Sequence, residues 1–214
     1  MNEAGLRDAV VAAVQQLDAL GMNRGSTGNV SARHQEGMLI TPTGMGADGL
    51  RAQDLVWLGF DGSVRGDWQP SSEWHFHQAA YLARPELQAV VHTHSTHAAA
   101  LACLRRPLPA FHYMVAVAGG DSVPLVPYFT FGTQALSDAV ALALRNRDAC
   151  LLANPGLVAV GATVAQAMKV VQEIESLCEV YLKALAVGEP VLLGADEMAV
   201  VIDKFRSYGR AARA

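Results

Sequence analysis

The sequence has few charged residues: 17% of its 214 residues are charged, whereas 51% are hydrophobic. Enough apolar surface is therefore available to offset chain entropy, which excludes an intrinsically disordered chain. Sixteen basic and twenty acidic side chains leave a formal net charge of −4. This balance argues against a nucleic-acid partner and against an anionic membrane surface, and it requires that any anionic substrate be held by a few local groups.

Long hydrophobic runs and cysteines are also scarce. Apolar stretches such as Leu87–Val91 and Ala98–Leu104 are too short for a transmembrane helix, and the first residues are acidic where a signal peptide is basic. The three cysteines, Cys103, Cys150 and Cys178, are widely spaced among apolar residues. They predict reduced core residues of a cytoplasmic protein, not a disulfide or metal framework.

The chain has no internal repeat, low-complexity tract or long linker, which predicts one domain over residues 1–214. Helical periodicity and capping residues predict four helices. They are an N-terminal helix that stops at Gly21, Glu73–Ala83 with a cap at Ser71 or Ser72, Thr133 to about Arg147, and Thr163 to Val187. Short apolar runs predict strands at Leu87–His94, Cys150–Leu152 and Gly156–Gly161. Together they indicate an α/β domain with helices on both faces of a sheet.

His92-Thr93-His94 is the sharpest local motif. Residues two apart on a strand point to the same face, so the two imidazoles could act as a pair of metal ligands. The pattern is short, however, and also typical of two ordinary histidines at a strand end. His97, three residues further on, could be a bystander.

Glu73 is a second candidate, in the expected first turn of a helix. A carboxylate there commonly serves only the helix dipole. His77 lies one turn later on the same face, so the pair could also form a solvated helix face.

Three short loops form a third set: Gly25–Asn29, Thr41–Gly44 and Pro70–Ser72. Their backbone N–H groups and small hydroxyls suit a phosphate where cations are few, although each loop alone is typical of a turn or cap. Aromatic residues cluster at Phe111–Met114, Pro127–Gly132 and Phe205–Tyr208. Most such residues are core, but a tyrosine in a cleft can donate a proton.

Four motifs in order along the chain resemble the class II aldolase/adducin family, most of all its bacterial L-fuculose-1-phosphate aldolases. They are Gly28–Ser31, Leu39–Gly44, Pro70–Trp74 and Val90–His94. The Ser-Ser-Glu-Trp form of the third motif differs from relatives that carry Ser-Ser-Asp there. The resemblance runs from Gly21 to Tyr208.

The resemblance implies a three-layer α/β/α sandwich around a central mixed, mainly antiparallel sheet, assembled as a homotetramer with active sites between subunits. It implies a metal-dependent aldolase that cleaves a ketose 1-phosphate, such as L-fuculose 1-phosphate, to dihydroxyacetone phosphate and a short aldehyde such as L-lactaldehyde. A sibling dehydratase, epimerase or decarboxylase shares the enediolate chemistry and is a second interpretation. A metal-deficient phosphosugar-binding protein is a third.

The resemblance also assigns site residues. The residues implied for the substrate phosphate are Gly28, Asn29, Thr43, Gly44, Ser71 and Ser72. His92 and His94 are implied to hold a divalent zinc ion, and Glu73 to be the acid/base and a metal ligand when no substrate is bound. Tyr113 of a neighbouring subunit is implied to donate a proton to the aldehyde oxygen. The residues implied to line the aldehyde end are Phe131, Phe205 and Tyr208.

One position departs from the family pattern. A Leu-Leu-x-x-His-Gly run normally supplies a third metal imidazole, and here Pro155 occupies that place between Asn154 and Gly156. No histidine follows His112 in the sequence. Four outcomes are open: weak metal binding, substitution by Asn154, His97 or a neighbour's side chain, loss of the metal, or an altered sequence. We favour retained but weakened metal binding because the other site residues are present.

Overall fold

An eight-stranded sheet forms the centre of the protein in the computed structural model, which describes residues 1–154 and 156–207. The strands are β1 Asn29–His34, β2 Gly37–Ile40, β3 Val56–Gly59, β4 Val64–Arg65, β5 Ala89–Thr93, β6 Leu125–Val126, β7 Ala149–Leu152 and β8 Gly156–Gly161. They lie in the order β4-β3-β2-β1-β5-β8-β7-β6. All neighbours are antiparallel except β6 and β7, which are parallel.

Helices cover both faces of this sheet. They are α1 Glu3–Ala19, α2 Trp74–Ala83, α3 Thr96–Cys103, α4 Gln134–Ala143, α5 Val164–Leu185 and α6 Ala195–Ser207, with short 3-10 helices at Ala52–Asp54 and Tyr113–Ala118. One apolar cluster joins α1, α3 and α5 to one face, and a second joins α2 and α4 to the other. The α/β/α layering and the mainly antiparallel mixed sheet are confirmed.

The two sheet faces differ along the central strands. Val30 and Ala32 of β1 belong to the α1/α3/α5 cluster, and neighbouring strands continue this apolar surface. On the opposite face β1 presents Asn29 and Ser31, both buried. Asn29 pairs with His92 of β5 in the sheet register, so their side chains share that face. Polar groups are thus placed on one face of the central strands.

The helix boundaries follow the predicted signals at Thr133, Thr163 and Gly21. The predicted cap at Ser71 or Ser72 is wrong, because α2 begins at Trp74 with Glu73 at its N-cap and no side-chain cap hydrogen bond. The hydroxyl groups of Thr133 and Thr163 accept hydrogen bonds from N–H groups of the first turns of α4 and α5. Gly21 adopts φ +67°, the left-handed conformation that ends α1. The expected extension of α4 to Arg147 is wrong, because the chain turns after Ala143 and Arg84 donates to the Leu144 carbonyl oxygen.

Two further expectations concern burial. Cys150 and Cys178 are buried free thiols, and burial raises the pKa of both groups. Cys103 is exposed at the end of α3, so its placement in the core was wrong.

Among the described residues, none of the helices combines the length and the hydropathy that a bilayer crossing requires.

Candidate active site and metal centre

The predicted loops meet in a single cavity of about 330 Å³. The cavity is lined by nine of the site residues that the resemblance implies: Gly28, Asn29, Thr43, Gly44, Ser71, Ser72, Glu73, His94 and Phe131. These residues come from stretches up to about a hundred positions apart in the sequence, so the fold and not local sequence brings them together.

Two of the loops are joined by backbone hydrogen bonds. The N–H of Ser71 donates to the Thr41 carbonyl oxygen at 3.0 Å, and the N–H of Thr43 donates to the Gln69 carbonyl oxygen at 3.0 Å. The third loop packs on Asn23, since an added Cβ at Gly28 would lie 2.3 Å from the Asn23 amide nitrogen. It leads into Val30, which exchanges hydrogen bonds with Thr41: the N–H of Thr41 donates to the Val30 carbonyl oxygen and the N–H of Val30 donates to the Thr41 hydroxyl. The loops therefore form one compact edge of the cavity.

This edge can hold an anion without a cationic side chain. None of the described lining residues is lysine or arginine. The hydroxyl groups of Ser71, Ser72 and Thr43 are available there, together with backbone N–H groups. Helix α2 begins at Trp74, directly after these serines, so the positive end of its dipole faces the same region. The arrangement is typical of a phosphate site.

The metal-ligand geometry begins with His92, which is fully buried on β5. Its Nδ1 lies 3.0 Å from the Leu157 carbonyl oxygen, which can only accept, so Nδ1 carries the proton and Nε2 offers a lone pair. That Nε2 is 3.1 Å from His94 Nε2 and 3.5 Å from Glu73 Oε2. The three ligand atoms all lie within 4.8 Å of one another.

His94 lies one residue beyond the end of β5, and its backbone is held in place. The Asn23 side-chain oxygen accepts a hydrogen bond from the N–H of His94 at 3.1 Å. Burial, and secondly the neighbouring His92, lower the pKa of His94 to about 4, while Glu73 acts in the opposite direction. His94 is therefore neutral at pH 7. Two imidazoles and a carboxylate are three protein ligands, the number that catalytic zinc usually takes.

The residues on either side of Pro155, which itself lies outside the described residues, border this metal centre. Asn154 lines the cavity. Gly156 packs so closely that an added Cβ would lie 2.3 Å from the Thr93 carbonyl oxygen and 3.2 Å from the Cα of His94. Position 155 is thus flanked by two residues next to the ligand pair.

Of the two residues of this chain considered as substitutes for the missing imidazole, His97 lies outside the ligand group and Asn154 lies at the cavity. The ring of His97 lies 2.9 Å from Glu175, whose carboxylate also accepts from the backbone N–H groups of His97 and Ala98. His97 therefore belongs to the start of α3, outside the Glu73–His92–His94 group. The side chain of Asn154 lies 3.5 Å from the Cys103 sulfur and remains at the cavity.

The other predicted site residues lie elsewhere. Tyr113 opens the short 3-10 helix, is 50% exposed and does not line the cavity. Phe205 is on α6, which packs on that 3-10 helix, and it does not line the cavity either. Tyr208 lies outside the described residues. The roles of all three stay predictions.

A chain of hydrogen bonds runs from the cavity into the protein. The Asn29 amide nitrogen donates to Glu73 Oε2 at 2.8 Å, and its oxygen is 2.5 Å from His77 Nε2. His77 Nδ1 is 2.7 Å from the Ser31 hydroxyl, which is 2.9 Å from the Tyr81 hydroxyl. His77 is fully buried, so the alternative of a solvated helix face is wrong. Burial, then His92, hold the pKa of His77 well below its usual range.

Seven further described residues line the cavity. Six of them lie in segments that the sequence indicated, namely Ser26, Thr27 and Pro42 in the loops, Tyr128 and Phe129 in an aromatic cluster, and Asn154 beside Pro155. Leu136 was not singled out. Ser31 and Tyr81 were not singled out either. A spacing signal was present, since Asn29 and Ser31 are two apart on a strand, and Glu73, His77 and Tyr81 are four apart along a helix.

Comparisons with known proteins agree with this geometry. The family model described as Class II Aldolase and Adducin N-terminal domain matches residues 8–182. The chain is 47% identical to a 5-methylthioribulose-1-phosphate/5-deoxyribulose-1-phosphate aldolase of Rhodospirillum rubrum, over 97% of this chain and 94% of that protein. It is 45% identical to an L-fuculose phosphate aldolase of Escherichia coli K12, over 98% of both.

A solved structure of an L-fuculose 1-phosphate aldolase superposes with a TM-score of 0.91 at 36% identity, covering 94% of this chain and 96% of that one. These matches confirm the expected enzyme class, a metal-dependent class II aldehyde-lyase. The ordered motifs, the eight-stranded sheet and the matches over nearly the whole chain agree. The chain therefore belongs to the class II aldolase and adducin family.

Proposed function

We propose that this protein cleaves a ketose 1-phosphate, such as L-fuculose 1-phosphate, to dihydroxyacetone phosphate and a short aldehyde such as L-lactaldehyde. The observation that carries the proposal is that Glu73 and His94 line one cavity with an anion site that has no cationic side chain among its described residues. The buried His92 lies directly behind them, with its Nε2 3.1 Å from His94 Nε2 and 3.5 Å from Glu73 Oε2. A phosphorylated substrate anchored at the serine loops has its carbonyl end free to reach the imidazole side of that cavity.

The donor set fits a zinc ion. The Nε2 lone pair of His92 faces His94 and Glu73, and the hydrogen bond of Nδ1 to the Leu157 carbonyl oxygen fixes the ring orientation, as is common for metal-binding histidines. His92, His94 and Glu73 would hold the ion, with Glu73 a ligand in the absence of substrate. When bound, zinc supplies Lewis-acid stabilisation of negative charge on the carbonyl and hydroxyl oxygens.

Glu73 is the proposed acid/base. Cleavage of the C3–C4 bond leaves its electron pair on C3 as an enediolate, and Glu73 delivers a proton to that carbon; the reverse reaction begins with removal of the same proton. Its side chain is 14% exposed, so bulk water has limited access to the carboxylate. In the condensation direction the proposed proton donor to the aldehyde oxygen is Tyr113 of a neighbouring subunit, so in cleavage the same group takes the proton that leaves the C4 hydroxyl as the aldehyde forms.

The proposed phosphate site consists of Gly28, Asn29, Thr43, Gly44, Ser71 and Ser72. Because these groups are uncharged, the site relies on several directed hydrogen bonds and the α2 dipole. The Asn29 side chain already bonds Glu73 and His77, which leaves one amide N–H for the phosphate. A homotetramer is proposed to bring Tyr113, Phe205 and Tyr208 to a neighbour's cavity, which Phe131 lines from its own chain.

The aldehyde end favours a second candidate substrate class. Tyr128, Phe129, Phe131 and Leu136 give one wall of the cavity a largely apolar character. An apolar wall suits a 5-deoxy- or 5-methylthio-pentulose 1-phosphate, the substrate type in the name of the Rhodospirillum rubrum relative. The same bond cleavage then yields dihydroxyacetone phosphate with acetaldehyde or methylthioacetaldehyde.

A coupled assay tests the proposal. Purified protein is treated with a chelator, reloaded with zinc and supplied with each ketose 1-phosphate, and release of dihydroxyacetone phosphate is followed by its reduction with NADH. Zinc-dependent release from at least one substrate is expected. The absence of release from all of them would reject the proposal, and product masses would then identify a dehydratase, epimerase or decarboxylase.

The phosphosugar-binding alternative makes a different prediction. A binding protein without a metal would bind a ketose 1-phosphate with an affinity that zinc does not change. No product of any mass would form. Titration of zinc into the metal-free protein separates the two interpretations. One equivalent bound, together with loss of turnover in Glu73→Gln, is expected for the aldolase.

A further inference from the structure

A row of buried polar side chains connects the interior of the protein to Glu73. Glu73, His77 and Tyr81 follow one face of the α2 region at four-residue spacing, and Asn29 and Ser31 face them from β1. Four hydrogen bonds of 2.5–2.9 Å join the five side chains in the order Glu73, Asn29, His77, Ser31 and Tyr81. We propose that His77 is a positioning residue for Glu73, acting through the Asn29 amide to fix the orientation of the acid/base carboxylate.

The direction of each hydrogen bond follows from the chemistry of the groups. A carboxylate can only accept, so the Asn29 nitrogen donates to Glu73 and the Asn29 oxygen is left to accept from His77 Nε2. In a neutral imidazole Nδ1 is then the acceptor, so the Ser31 hydroxyl donates to it. The Ser31 oxygen in turn accepts from the Tyr81 hydroxyl. Every donor points toward Glu73.

The shared direction of these hydrogen bonds fixes which side of the Asn29 amide faces Glu73. If the Asn29 amide were rotated by 180°, its oxygen would face the carboxylate and its nitrogen would face the Nε2–H of His77. Both contacts would then be repulsive. His77 therefore excludes the reversed amide, and the correct amide presents an N–H to Glu73 Oε2 beside His92 Nε2. The same Oε2 atom would contact the metal or the substrate carbon.

The surroundings of His77 are apolar, so a buried polar row there lowers stability, and a purpose such as positioning Glu73 explains its presence. His77 is fully buried, and its ring stacks on that of Phe76, a member of the apolar cluster under α2, with 4.8 Å between the ring centroids. Burying polar groups is favourable only when all are bonded, and apolar side chains of similar size would satisfy packing alone. The polar row instead ends on Glu73, the one carboxylate among the described residues that line the cavity.

The inference rests on the proposed function, because it assumes that Glu73 moves a proton at C3 of dihydroxyacetone phosphate. That step can be observed without an aldehyde. In D₂O the zinc-loaded enzyme should exchange a C3 hydrogen of dihydroxyacetone phosphate, and NMR gives the exchange rate. The exchange isolates proton transfer at Glu73 from cleavage of the carbon–carbon bond.

Two variants interrupt the row without touching the cavity. His77→Phe keeps the ring but removes the donor to Asn29, and we expect exchange to fall on the order of 10- to 100-fold at saturating substrate, as for other outer-shell partners. Tyr81→Phe removes only the last hydroxyl, and we expect a loss of roughly 2- to 10-fold. KM should change little in both. His77→Gln retains an N–H donor and should restore part of the rate.

A matched control is Ser137→Ala in α4, which removes a buried hydroxyl that donates to the Thr133 carbonyl oxygen and not to any member of the row. Its exchange rate should equal that of the wild type. A second readout does not depend on turnover: ¹⁵N NMR of histidine-labelled, metal-free protein should show His77 with its proton on Nε2. Zinc affinity should also fall in His77→Phe, because Glu73 loses its fixed orientation.

The outcomes separate the two proposals. Wild-type protein that shows neither exchange nor cleavage contradicts the proposed function. Wild-type exchange that is equally fast in folded His77→Phe and Tyr81→Phe overturns the positioning role, as does a His77 proton on Nδ1. If His77→Phe fails to fold, Tyr81→Phe and Ser31→Ala decide, and equal loss in Ser137→Ala would show a general effect of destabilisation.

Discussion

The two ends of the cavity are built in different ways. The anion end consists of loops, whose glycines and hydroxyl residues offer many weak donors and no cationic side chain among the described lining residues. The metal end consists of a few side chains on ordered elements, with His92 on β5 and Glu73 at the start of α2. The anion end retains its full predicted set, whereas the metal end has Pro155 in place of an imidazole.

The difference indicates how each end responds to change. A site made of many weak donors loses affinity gradually, because each hydrogen bond supplies a small part of the whole. A site with three ligands needs all of them, so one substitution alters the coordination of the ion. We therefore expect changes at the metal end to act on kcat and zinc affinity, and changes at the anion end to act on KM.

The largest effect is expected for Glu73→Gln. This substitution keeps the shape of the side chain but removes the acid/base, and kcat for ketose 1-phosphate cleavage should fall by about 10²- to 10⁴-fold. Steady-state kinetics with zinc in excess measure it, with Ser137→Ala as the control. A kcat within a factor of about two of the wild type would contradict the assignment of Glu73 as the acid/base.

Pro155→His probes the departure at the metal end directly. An added imidazole should tighten zinc at least about ten-fold, equivalent to roughly 1.4 kcal/mol, and raise activity at limiting zinc. Competition with a fluorescent zinc chelator gives the affinity. Unchanged affinity would show that position 155 does not face the ion. The companion variant Asn154→Ala should weaken zinc only if Asn154 acts as the substitute ligand.

The anion end is tested by the double variant Ser71→Ala with Ser72→Ala. Loss of two hydroxyl donors should raise KM for a ketose 1-phosphate about ten-fold with little change in kcat, because ground-state and transition-state binding weaken equally. The non-phosphorylated ketose is the control substrate, and wild type and variant should use it equally. A KM that stays constant for the phosphorylated substrate would count against this phosphate site.

The smallest expected effect is on stability as a function of pH. The pKa of His94 is lowered from 6.5 to about 4, and that of His77 lies well below 6.5. Unfolded protein therefore binds more protons than folded protein below pH 6.5, so the free energy of unfolding should decrease as pH falls from 6.5 toward 4. Melting temperatures of chelator-treated wild type and His94→Gln measure this, and the decrease should be shallower in the variant.

Local signals in the sequence predicted helices α1, α2, α4 and α5 and strands β5, β7 and β8, whereas the arrangement of the layers followed from the resemblance. The caps at Thr133 and Thr163 and the apolar face of α5 specified helices independently of tertiary contacts. The end of α4 was missed because Arg84, distant in sequence, binds the Leu144 carbonyl oxygen. Cys103 was misplaced because the apolar residues around it in the sequence do not surround it in space.

The site was predictable to the extent that ordered motifs marked it. The positions of Glu73 and the histidine pair came from such motifs, and the structure brings their ligand atoms within 4.8 Å. The role of His77 was not recognised, because its partners Asn29 and Ser31 lie on a strand more than forty residues earlier. A spacing pattern indicates a face of a helix, but only the fold shows what that face contacts.

The proposed reaction requires a cation bound by His92, His94 and Glu73 beside an anion site that holds the substrate phosphate. Anomalous scattering at the zinc edge, from crystals grown with zinc and dihydroxyacetone phosphate, tests it most directly. We predict one peak about 2.0–2.1 Å from the Nε2 atoms of His92 and His94, with the phosphate at Ser71 and Ser72. No peak at the imidazoles, or a phosphate bound away from these serines, would contradict the account.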